Sequence, residues 1–61
     1  MTITLTNPKN KWARERIQQH GNRAEVLRTG AFRGVPAVNV KTPDGWIGWF
    51  TVEDADGEIK P

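Results

Sequence analysis

Two clusters of turn-forming residues, Gly30-Ala31-Phe32-Arg33-Gly34 and Pro43-Asp44-Gly45, divide the second half of this chain into three runs whose apolar residues recur with period two. Alternation sends successive side chains to opposite faces, the pattern of a half-buried strand, and runs joined by so few residues can only pair antiparallel. The first run starts near Asn22, with Ala24 and Val26 alternating with Glu25 and Leu27, and ends at the glycine-flanked loop. The second spans Val35 to Thr42, with Pro36 tolerated near its start. The third spans Trp46 to Val52, with Trp46, Gly48, Phe50 and Val52 on one face and Ile47, Trp49 and Thr51 on the other. Large apolar groups on both faces mean that one layer of cover cannot hide them all.

The first half reads differently. Asn7 is a favoured N-cap and Pro8 fits the first helical position, so a helix is expected from Pro8 to His20, closed by Gly21. At 100° per residue, Trp12, Ala13 and Ile17 form a narrow apolar stripe with Arg16 and His20 beside it, while Lys11, Arg14 and Gln18 lie opposite. Ahead of the helix, Thr2 to Thr6 alternates threonine with Ile3 and Leu5, as a short strand or a loosely held arm would.

These elements predict an α+β fold in one domain, residues 1–61: an N-terminal helix packed on a three-stranded antiparallel β-meander, with the amino terminus available as a fourth strand. Residues 1–6 and 54–61 are expected to be flexible, although Glu58 to Lys60 could add a short edge. The alternative is a small SH3-like β-barrel with an N-terminal helix, which would enclose Ile47 and Trp49. The run Asp44-Gly45-Trp46-Ile47-Gly48-Trp49-Phe50 is slightly similar to the glycine and aromatic turns of such barrels, over one hairpin only, and carries no family assignment. With 61 residues and no cysteine, neither a disulfide nor a cysteine zinc site can reinforce the core. A domain of this size buries only about 60% of its unfolded surface, so both a monomer and a homodimer are open.

Catalytic ingredients are scarce. The chain has one histidine, no cysteine and no serine, which excludes conventional serine and cysteine nucleophile arrangements. His20, at the helix C-terminus, reads as structural or solvent-facing. Asp54-Ala55-Asp56-Gly57-Glu58 resembles a fragment of a calcium loop but lacks the full ligand run, and Gly30 and Gly34 are not followed by the lysine and hydroxyl residue of a phosphate loop. No enzyme activity, cofactor or metal is therefore expected. Without a long apolar run or a signal-like amino terminus, the reading is a cytoplasmic protein with no membrane association.

The sequence points instead to binding. The net charge is only +2. Yet Met1 to Gly34 carries seven basic residues against two acidic ones, and the remainder two basic against five acidic. Lys9 and Lys11 fall where the helix dipole is already positive, an unfavourable placement that, with Arg14, would form a basic ridge suited to phosphate; pairing of Lys11 with Glu15 is the simpler explanation. Arg23, Arg28 and Arg33 extend the basic set. Phe32 and Arg33, at a loop tip, and Trp49, on the far sheet face, are residue types that dominate binding hot spots. Two functions follow. The favoured one is a non-catalytic protein-binding module, an adaptor or inhibitor of the size encoded by phages and other mobile elements, docking on a larger protein. The other is a nucleic-acid-binding module whose basic residues contact phosphates while Trp49 or Phe32 stacks on bases.

Overall fold

The computed structural model describes every residue from Met1 to Pro61. It contains β1 (Thr2–Thr6), α1 (Lys11–His20), β2 (Arg23–Phe32), β3 (Val35–Lys41), β4 (Ile47–Thr51) and β5 (Asp56–Lys60). The strands form a single antiparallel sheet of order β4-β3-β2-β1-β5. The expected meander is its β2-β3-β4 half. The other half exceeds expectation, because β1 pairs with β2 and offers its second edge to β5, from Thr2 opposite Lys60 to Thr6 opposite Asp56. The sheet thus has five strands rather than three or four, and the molecule is mostly β. It is not a closed barrel: β4 and β5 remain its two edges, which corrects the SH3-like alternative.

The first hairpin is tighter than its glycine spacing suggests. Gly30, Ala31 and Phe32 are paired with Ala37, Pro36 and Val35, which leaves only Arg33 and Gly34 to turn the chain. Their φ angles of 51° and 80° are those of a type I′ turn, whose twist matches that of the strands it joins. Glycine takes the second position without steric cost, whereas Arg33 occupies a left-handed conformation that non-glycine residues adopt uncommonly. The second hairpin closes where Pro43-Asp44-Gly45 predicts, with the Thr42 amide donating to the Trp46 carbonyl at 2.9 Å and Gly45 at φ 94°.

The helix begins at Lys11, not Pro8, and its cap is Asn10, not Asn7. Asn10 is extended, and its side-chain oxygen accepts from the Ala13 amide at 2.8 Å, the geometry of a true N-cap. Asn7 instead takes φ 50° to turn the chain out of β1, and the Lys9 amide donates to the Asp54 carbonyl at 2.8 Å. Local propensity favoured Asn7-Pro8; the tertiary bond to the 51–55 segment selected the later asparagine. The other end is as expected, with Gly21 at φ 90° donating to the Ile17 carbonyl.

Helix α1 packs on part of one face of the sheet and leaves the end of that face near Val38, Val52 and Ile59 uncovered. Ala13 is fully buried against a core of Ile3, Leu5, Ala24, Val40, Phe50 and Ala55, with Ile17, Val26, Val38 and Trp46 packed around it. The expected stripe of Trp12, Ala13 and Ile17 is the face that docks. Trp12 remains 39% exposed, yet its ring lies 5.3 Å from Phe50 and 6.4 Å from Trp46, and the Arg16 guanidinium covers it at 5.5 Å. Gly48 is required beneath Trp46, because a Cβ there would strike the indole ring.

Candidate binding face

The second sheet face has no helix on it. Val40 and Phe50 point into the core, so period two turns Asn39 and Lys41 of β3 and Ile47 and Trp49 of β4 the other way. Their register partners on β2 share that side: Arg28 lies opposite Asn39, Gly30 opposite Ala37, and Phe32 opposite Val35. Arg23 and Glu25 continue the face beside Thr4 and Thr2 of β1, and Asp56, Glu58 and Lys60 of β5 complete it.

The centre of this face is built around Trp49. Its ring sits over Gly30, where an added Cβ would lie 3.4 Å from the indole, and Phe32 meets it edge-on at 5.3 Å with an interplanar angle of 82°. A T-shaped contact of this kind suits the quadrupoles of both rings. Two strand residues on the same face, Ala37 and Asn39, are buried, and the Asn39 amide donates to the Gly48 carbonyl at 2.9 Å. Around this anchored centre, Phe32 is 50% and Ile47 56% exposed. From Val26 to Pro43 the only charged residues are Arg28, Arg33 and Lys41. The β2–β3 arm therefore has an aromatic and aliphatic centre with a basic rim, while the acidic residues lie toward β5.

The expected site residues divide into two groups. Arg28, Phe32 and Trp49 share the open face, with Arg33 at the tip of the arm and Arg23 toward β1. Lys9, Lys11 and Arg14 are on the helix side, away from this face. Lys9 precedes the helix, and its ammonium donates to the Val52 carbonyl at 2.7 Å and pairs with Asp56 at 2.9 Å. Lys11 lies 3.9 Å from Glu15, the i,i+4 pairing, with its own side chain 87% exposed. Arg14 is exposed on the helix. The helix N-terminus is flanked by acids: Asp54 accepts from the Asn10 side chain at 2.8 Å and from the Thr51 amide at 2.9 Å. The Lys9 hydrogen bond, then that from Asn7, holds the Asp56 carboxyl below the usual carboxylate range. Asp54 and Asp56, two of the carboxylates in the calcium-loop-like run, thus tie the 51–56 segment to the helix and the residues before it. Lys41 and Ile47 belong with the open-face group; the alternation of β3 and β4 was the signal for both.

His20 has a partner that sequence reading missed. Its Nδ1 lies 2.6 Å from an Asp44 carboxylate oxygen, and its ring stacks on Trp46 at 5.0 Å, within 10° of parallel. Asp44 also accepts from the Thr42 hydroxyl, and these bonds, Thr42 first and His20 second, lower its pKa to about 2. The carboxylate–imidazole pair clips the end of α1 to the β3–β4 turn.

No helix is long and apolar enough to cross a membrane. In comparisons with known proteins, no family model, no curated protein and no solved structure matches this chain.

Proposed function

We propose that this protein is a non-catalytic protein-binding module that docks on a larger protein through the open face of its sheet. The observation that carries the reading is the Phe32–Trp49 pair, an anchored aromatic centre bordered by exposed Ile47 and by arginine, on a face that the fold leaves uncovered. Aromatic residues and arginine around a dry, pre-packed centre are the composition of interface hot spots. The partner gains apolar area there without ordering the Trp49 ring, which is already held over Gly30.

A second reading, single-stranded nucleic acid, draws support from the purely basic charge of residues 26–43 beside the two aromatic rings. It is the weaker one. Glu25 and Glu58 share the face and disfavour a phosphate backbone beside them, although Lys60 lies next to Glu58, and the pairing of Lys9 with Asp56 removes one cation from the expected ridge.

Affinity capture from the source cell with wild-type protein, Trp49→Ala and the double variant Lys11→Glu, Arg14→Glu tests the reading. A protein lost with the first variant and retained with the second supports it. Equal retention by both variants, or an interaction abolished by nuclease, counts against it.

A further inference from the structure

The β2 strand is longer than the strand beside it. Of its ten residues, only Arg23, Ala24 and Glu25 are in register with β1, and the last bond toward that side is from the Val26 amide to the Met1 carbonyl, at 2.9 Å. The outer half therefore pairs with β3 alone. The direction of its main-chain groups follows from the neighbouring ladder. In β3, Pro36 accepts from Val52, and the adjoining Thr42 donates to Trp46, so even-numbered residues there bond toward β4. The odd-numbered Val35, Ala37 and Asn39 bond toward β2, to Phe32, Gly30 and Arg28. Thr29 and Ala31, between those partners, turn their amides and carbonyls outward, to an edge with no strand on it.

Beneath this edge runs an apolar groove of about 300 Å³, lined from one side by Ile3 and Ile59 and from the other by Val38, Phe50 and Val52. Thr29 lies at its lip. The slot continues the line of β1, so a strand entering it would run antiparallel to β2, with alternate side chains directed into the groove and the rest directed to the open face beside Arg28. No acidic residue lies between Val26 and Pro43. An acidic side chain opposite Arg28 is favoured on charge, and self-pairing of two such basic arms is disfavoured.

We propose that the outer half of β2, through Thr29 and Ala31, accepts an extended segment of a partner protein whose residues alternate apolar and acidic, adding a sixth strand to the sheet. This rests on the protein-docking reading above and gives its partner a chemistry: backbone pairing supplies affinity, while the groove and Arg28 select the side chains.

The test is a titration of the full chain, followed by amide NMR, with a peptide of roughly six residues alternating valine and glutamate, the length of a common strand. The expected result is chemical-shift change over Leu27–Ala31 and slowed exchange at the Thr29 and Ala31 amides. Thr29→Pro removes an outward donor and no β2–β3 bond, so it should weaken binding at least about tenfold, with the near-ultraviolet signal of the Trp12–Trp46–Phe50 cluster unchanged. Should that variant fail to fold, a peptide N-methylated at alternate amides breaks the same pairing from the other strand. Arg28→Glu should reverse the preference in favour of a valine–lysine peptide. Shifts confined to another surface, equal binding of the N-methylated peptide, or self-association through β2 without peptide overturns the proposal. If the peptide fails while Trp49→Ala still abolishes partner capture, only the edge pairing falls; if both fail, the docking reading falls too.

Discussion

The Lys9 ammonium and the Asp56 carboxylate meet at 2.9 Å, joining the segment before the helix to the start of the last strand. A lysine that reads in sequence as part of a phosphate-binding ridge is, in the folded chain, a tie between the two ends. The Val52 carbonyl takes a second bond from the same ammonium, so the contact fixes the crossing from β4 to β5 as well. Lys9→Met is expected to lower the urea midpoint at neutral pH, and Lys11→Met, at an exposed i,i+4 pair, to leave it nearly unchanged. Equal midpoints for the two variants would show that the tie has no structural role.

Acid should weaken the fold through two carboxylates. Asp44, with a pKa near 2 against an ordinary 3.8, and Asp56, also lowered, both hold protons less tightly in the folded state. Their contribution is present above the unfolded pKa and is lost as pH falls through the folded value. Stability should therefore decline as pH drops below about 5 and on toward 2, and Asp44→Asn should flatten part of that decline. Urea midpoints measured across this range, with and without the substitution, check both statements.

Two glycines with similar surroundings should respond differently to alanine. At Gly48 a Cβ collides with the Trp46 ring and forces the aromatic cluster to move, a change expected to cost about 1–3 kcal/mol. At Gly30 the added carbon meets Trp49 at 3.4 Å, and the effect should stay within about 0.5 kcal/mol. Chemical denaturation of the two variants side by side distinguishes them.

Phe50 is 3% exposed and contacts both Trp12 and Trp46. A domain of 61 residues has a total stability of roughly 3–9 kcal/mol. Phe50→Ala, at about 3–5 kcal/mol, should remove a large share of that stability and lower the thermal midpoint followed by circular dichroism. Phe32→Ala, on the open face, should preserve the native spectrum.

The parts of this architecture legible in sequence are those that depend on local pattern. The alternation around Pro43-Asp44-Gly45 gives the second hairpin, and the arc of Trp12, Ala13 and Ile17 gives the docking side of the helix. What escaped depends on long-range bonds. Asn10 becomes the cap because Asp54 reaches back to it, and β5, expected only as a short edge over Glu58 to Lys60, starts at Asp56 because β1 presents a free edge to residues that carry almost no apolar signal of their own. The candidate face was half visible: alternation placed Ile47 and Trp49 together away from the helix, but bringing Phe32 and Arg28 beside them required the register of β2, set by a two-residue turn where five loop residues were expected. His20 and Asp44 are remote in sequence, and no local pattern links them.

A protein partner on the open sheet face can be trapped by photo-crosslinking in the source cell from a reactive side chain placed at position 47, compared with one at position 14 on the outer helix face. Position 47 should give a discrete protein adduct and position 14 none. Adducts from position 14 alone, or a position-47 adduct that disappears on nuclease treatment, would contradict a protein partner on this face.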